Sequence, residues 1–207
     1  MRTDRLAFFV AFLIGGGAAW ADTAPQKDQV ALFEAVAREG HTGVAHKTKE
    51  VDARPAVAGE VIVTLIKGEG VETKSKPAEA GDWVVRNRCP ATGNEEILVK
   101  AAKFPTRYGE PQSEPDAQGY RTFRPLGTDM AYFLVSQEIG DFAFTAPWGE
   151  QMVAKVGDAI VQTPSDKNDT YRIAAASFEC TYEVVTPAKV PSSVMIGRTR
   201  SLSSTSW

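Results

Sequence analysis

The stretch Ala78–Tyr108, AEAGDWVVRNRCPATGNEEILVKAAKFPTRY, decides the fold, because most of its pattern returns at Ala154–Tyr182, AKVGDAIVQTPSDKNDTYRIAAASFECTY. With a two-residue gap in the loop, eight positions are identical: Ala78 and Ala154, Gly81 and Gly157, Asp82 and Asp158, Val85 and Val161, Ala101 and Ala175, Ala102 and Ala176, Phe104 and Phe178, Tyr108 and Tyr182. Each copy reads as a glycine turn, a short apolar strand, a polar loop and a return strand. It closes on an aromatic pair four residues apart, which suits one helical turn. The repetition speaks to architecture before chemistry. Gly81 and Gly157 supply a backbone conformation closed to other residues, and Asp82 and Asp158 can accept backbone hydrogen bonds in an Asx-turn.

Outward from these copies, Asp28–Gly40 (DQVALFEAVAREG) places Val30, Phe33, Val36 and Ala37 on one helical face. His41–Gly59 is polar, contains Pro55 and reads as a connection. Glu60–Lys67 (EVIVTLIK) is the clearest strand, apolar on both alternating sets and expected to be buried on both faces, with Val71–Lys76 as its partner. In the second unit Ala131–Val135 is the counterpart of that strand, Asp141–Ala146 an edge or hairpin strand, and Tyr171–Ala174 the return strand. The expected fold is mainly β with a minor α component: two repeated small β-rich modules, as a sandwich or partly open barrel, preceded by one helix.

The boundaries that follow are a signal peptide at 1–21, a helix and connection at 22–59, a first β module at 60–108, a linker at 109–127, a second β module at 128–185 and a disordered tail at 186–207. The linker carries Pro111, Pro115 and Pro125 with Gly109, Gly119 and Gly127, while Tyr120 and Phe123 favour an excursion that is partly packed. The signal is read from Arg2 and Arg5, the apolar run Leu6–Ile14 and Ala19-Trp20-Ala21. That run falls well short of the roughly 20 apolar residues of a spanning helix, so no membrane span remains after cleavage. Cleavage after Ala21 leaves 186 residues with a formal charge of −4. Such a mildly acidic chain lacks the basic excess of a nucleic-acid binder. The expected location is periplasmic or secreted.

The second unit, with GDAIV, PSDKNDTYRI and ASFECTY, resembles the PGDYG-type small β module of bacterial and phage proteins. The residues that carry the likeness are Gly157, Asp158, Tyr171, Phe178, Thr181 and Tyr182, and in the first copy Gly81, Asp82, Trp83, Phe104 and Tyr108. The resemblance covers about a third of the chain and departs from the pattern at Asn168–Tyr171. It implies an architecture and assigns no activity or catalytic residue.

Few residues offer chemistry. His41 and His46 lack the spacing and the Glu of a zinc-protease motif. No Gly-x-Ser-x-Gly, phosphate-binding Gly-rich loop or dinucleotide fingerprint occurs, and no cofactor or metal is expected. Cys89 and Cys180 are the only cysteines. In an oxidising compartment one bridge is the simplest outcome, and it would join the two units. The alternative is a reactive Cys89 thiol activated by Arg86 and Arg88. Phe104, Tyr108, Phe178 and Tyr182 recur in both copies and read as core plugs. Features present in only one copy are better binding candidates: Arg86 and Arg88 beside Asn94, Glu95 and Glu96, and Trp148 on a turn. These readings describe an exported, non-enzymatic protein that binds a small molecule or a protein. An enzyme using Cys89 or a site between the modules is the alternative, and a purely structural envelope component is a third.

Overall fold

A computed structural model describes residues 24–189. The expected signal peptide at 1–21 and the part of the expected tail beyond Lys189 lie outside the described residues. The chain is mainly β, with fourteen strands and three helices among the described residues. In chain order these are α1 (Gln29–Arg38), β1 (Gly43–Lys47), β2 (Val51–Pro55), β3 (Val63–Ile66), β4 (Gly70–Lys74), β5 (Trp83–Asn87), β6 (Glu96–Val99), α2 (Phe104–Arg107) and β7 (Tyr108–Pro111). There follow β8 (Arg121–Pro125), β9 (Met130–Leu134), β10 (Phe142–Thr145), β11 (Gln151–Ala154), β12 (Ala159–Thr163), β13 (Asp166–Ile173), α3 (Ala175–Thr181) and β14 (Tyr182–Thr186). No helix among the described residues is long and apolar enough to cross a membrane.

Two five-stranded antiparallel sheets form the body, in the orders β6-β5-β2-β8-β7 and β13-β12-β9-β1-β14, and β3-β4 and β10-β11 are separate hairpins. With the chain divided between β7 and β8, β1 and β8 each lie in the sheet of the other half. β1, from the first half, lies between β9 and β14, with Val44 across from Ala131 on one side and Thr186 on the other. β8, from the second half, lies between β2 and β7, where Phe123 stands across from Val51 and Pro111. Each sheet is therefore completed by a strand from the opposite half.

The alternation of side chains assigns the faces. In the second sheet Phe133 and Ile160 point to one side, where Phe33 and Val36 of α1 and Phe142, Phe144 and Met152 of the β10-β11 hairpin cover them. Asp28 starts α1 by accepting from the amides of Val30 and Ala31 at 2.9 and 3.0 Å. On the other side Tyr132, Ala159, Val161 and Tyr171 pack against Phe178 of α3. In the first sheet Val51, Ala53, Val85 and Phe123 pack against Phe104 of α2.

Four expectations change. Glu60–Lys67 is not buried on both faces: β3 belongs to a two-stranded hairpin with one covered side, so Thr64 and Ile66 are buried while Val63 and Leu65 are 42% and 55% exposed. The polar connection contains β1 and β2, and β2 is the central strand of its sheet. Its Asp52 and Arg54 face outward while Val51 and Ala53 are fully buried. The segment read as a linker contributes β7 and β8, with Pro111 tolerated because β7 is an edge strand. Only Gln112–Tyr120 is an excursion, pinned where Asp116 accepts from the amides of Gln118 and Tyr120. The expected tail begins later as well, since Thr186 ends β14 and the amide of Ala188 donates to the Tyr132 hydroxyl at 3.1 Å.

Candidate functional site

The two Gly-Asp steps make matching sets of bonds. Gly81 and Gly157 have φ of +89° and +97°, the left-handed region that favours glycine. Asp82 accepts from the amides of Glu79 and Ala101 at 2.9 and 3.0 Å, and Asp158 from those of Lys155 and Ala175 at 2.7 and 3.0 Å. Each aspartate thus ties a turn before its strand to the segment leading into the short helix. Burial acts to raise the Asp82 carboxyl, but Lys100 and the two amides outweigh it and hold it below the usual carboxylate range. The plugs match too. Phe104 lies 5.1 Å from Tyr108 and Phe178 lies 5.2 Å from Tyr182, ring centre to ring centre. Burial pushes both tyrosine hydroxyls well up.

Cys89 and Cys180 form a disulfide, with Cα atoms 5.9 Å apart, and there is no free cysteine. Cys89 is fully buried and offers no thiolate. The bridge joins the loop after β5 to α3, linking the halves. At the other junction α2 meets the second sheet through charge: Lys103 and Arg107 lie 3.2 and 3.4 Å from the buried Asp169. The disulfide closes a separation of 91 residues, so replacing both cysteines by alanine should lower the unfolding free energy by about 4 kcal/mol on the chain-entropy account. Urea melts would show this loss, and thiol titration of the unreduced, denatured protein should find no free thiol.

A buried polar chain that sequence reasoning missed also crosses between the halves. Lys47 donates to Asn87, Asn87 donates to Glu95 at 2.8 Å, and Ser177 donates to Glu95 at 2.6 Å. Burial lowers the Lys47 ammonium to about 8, against the opposing pull of Glu95, with Arg107 adding to the lowering. All of these groups are engaged with one another, which makes the chain a structural seam. Its signal in the sequence was slight: Lys47 and Ser177 lie far from the Asn94–Glu96 run.

The single-copy candidates are also engaged. Arg86 pairs with Glu96 at 2.8 Å and lies 3.9 Å over the Tyr120 ring. Arg88 binds Asp52 and Thr122 at 2.6 Å and Glu50 at 3.0 Å. Trp148 belongs to a different surface: it sits on the β10-β11 turn, donates to Glu150 at 3.0 Å and lies 5.7 Å from the Tyr171 ring. The structure brings the two arginines to one sheet face and leaves Trp148 apart from them. His46 pairs with Asp129 at 2.8 Å.

A concavity lies on the opposite face of the first sheet. A cavity of about 760 Å³ is bounded by Trp83, Phe104, Tyr108, Phe123, Arg121 and Glu110, with Pro55, Pro105, Pro111 and Pro115 at its walls; Arg86, Arg88 and Trp148 lie outside that lining. Its size falls within the range of small-molecule sites. Trp83 stacks on Phe104 with ring centres 4.1 Å apart and planes 10° apart, and Phe123 meets Trp83 edge-on at 5.6 Å. Arg121 stands across from Ala53 and shares a face with Phe123 two residues on.

At the same strand position and register of the second sheet, Gly43 stands across from Tyr132, and Ala159 occupies the place of Trp83. The space there is filled by the chain itself, since a Cβ on Gly43 would overlap Thr186 O and Ala188 N. With the same strand order, one sheet thus carries an open, aromatic-floored cavity and the other has the matching space filled. No family model matches this chain, and no curated protein or solved structure is significantly similar to it.

Proposed function

We propose that the chain is an exported, non-enzymatic binding protein, built from a duplicated β unit whose first strands are exchanged, and that its ligand site is the cavity over Trp83. The observation that carries this reading is the difference between the sheets: Trp83 and Arg121 stand where the other has Ala159 and Gly43. Scaffold needs would be common to both units, so side chains found at only one of two matching positions are free to serve a ligand. Duplication is supported by the shared strand order, the matching Gly-Asp bonds and the matching aromatic plugs. The likeness of each unit to the PGDYG-type module stands as part of this proposal. A periplasmic or secreted location is supported by the leader pattern at 1–21 and by the Cys89–Cys180 bridge.

Titration of the folded protein with N-phenyl-1-naphthylamine, a neutral apolar fluorophore, tests the reading. One saturable site per chain is expected, lost or weakened at least tenfold in Trp83→Ala, whose melting curve is recorded in parallel. Trp83→Phe should keep the fold and lose only part of the affinity. No saturable binding to the folded wild type would overturn the proposal.

A further inference from the structure

Arg121 stands apart from the other arginines of the sheets. Arg54, Arg86, Arg88, Arg107, Arg124 and Arg172 each have a carboxylate within 4 Å, whereas Arg121, half-buried in the cavity wall, has no ion pair among the described residues. Such a group takes a carboxylate well, because the planar guanidinium offers parallel donors to both oxygens. It faces the same side of the sheet as Phe123, so an anion beside it would lie next to the aromatic floor. That floor and the flanking prolines offer flat apolar surfaces suited to a planar ring. Glu110 is the opposing charge. It lies on the edge strand β7, is exposed and makes no ion pair among the described residues, so water screens it. The second sheet has neither element, with Gly43 at the matching place and its own chain in the space.

We infer that the cavity takes a small molecule that combines a planar apolar ring with a carboxylate, the ring lying over Trp83 and the carboxylate on Arg121. This inference rests on the binding reading above and adds the class of ligand.

Calorimetric titration with 2-naphthoate and with 2-naphthalenemethanol, which carries the same ring without the charge, separates the two. The acid is expected to bind about tenfold or more tightly than the alcohol, as a charge-assisted pair contributes. Arg121→Gln should abolish that preference, so that acid and alcohol bind alike, and Arg121→Lys should restore part of it. Equal affinities for acid and alcohol in the wild type, or full acid affinity in Arg121→Gln, would overturn the carboxylate inference while the binding site stands. Failure of both compounds and of the neutral fluorophore at millimolar concentration would overturn the binding reading and this inference together.

Discussion

Residues 24–114 and 115–189, produced as separate chains, are expected not to fold alone and to form the native molecule when co-expressed. The reason is topological. The first fragment holds β2 and β7 but lacks β8, which lies between them, so β7 loses its only neighbour and β2 keeps one. Phe123, which packs with Val51, Ala53 and Phe104, leaves with β8. The second fragment holds β9 and β14 without β1, and loses α1, whose Phe33 and Val36 share a core with Phe133 and the β10-β11 hairpin. Breaking each sheet beside a central strand should remove the whole folding free energy, about 5–15 kcal/mol for a typical domain. The cut falls in the exposed part of the excursion. In the reassembled complex Cys89 and Cys180 belong to different fragments, so a non-reducing gel should show one covalently joined species. Amide spectra dispersed like the native protein from either fragment alone would contradict the expectation.

Arg172→Met is expected to be the most damaging single substitution. The Arg172 side chain is 3% exposed and meets three carboxylates: Asp158 at 2.6 Å, Glu72 at 2.7 Å and Glu69 at 2.9 Å. It thereby fastens the β3-β4 hairpin to β13 and to the turn before β12. Removing it leaves buried carboxylates without their counter-charge, which costs about 3–5 kcal/mol. The loss should depend on pH. Burial raises the Glu72 carboxyl to about 6, against the pull of Arg172, and Glu95, Glu69 and Asp158 push it further up. A raised carboxyl means that the folded protein holds this proton more tightly than the unfolded chain. The Glu72 contribution is therefore fully present below the ordinary carboxylate range and is lost as pH rises through about 6. In Arg172→Met that carboxyl should rise further, so the stability deficit in urea melts should be smaller at pH 5 than at pH 8. Asp82 and Asp169, held low, act in the opposite sense: their contribution is present at neutral pH and lost in acid. A deficit that does not change with pH would contradict this assignment.

Local signals in the sequence led to local structure. Asp28 ahead of Phe33 and Val36 marks α1, the spacing of Phe104 and Tyr108 marks the turn of α2, and Gly81 and Gly157 mark the positive-φ corners. The Cys89–Cys180 bridge was one of two open readings, and the structure contains it. What was not legible is nonlocal. β2 hides in a polar stretch because its Asp52 and Arg54 have solvent and ion-pair partners on one face only, and no periodicity says that β1 pairs with β9 rather than with its neighbour in the chain. Trp83 stands opposite Ala159 in the alignment of the two copies, but it was read there as part of the scaffold, and the binding candidates were placed on Arg86, Arg88 and Trp148. Arg121 was not legible at all, because it corresponds to Gly43 only once β1 and β8 are known to occupy matching places.

The strand exchange is tested most directly by nuclear Overhauser contacts in a sample that mixes isotope-labelled and unlabelled monomeric protein. Cross-strand contacts between Ala45 and Met130 and between Val51 and Phe123 are expected within single chains; contacts of β1 with β2 in their place, or contacts found only between labelled and unlabelled chains, would contradict the account.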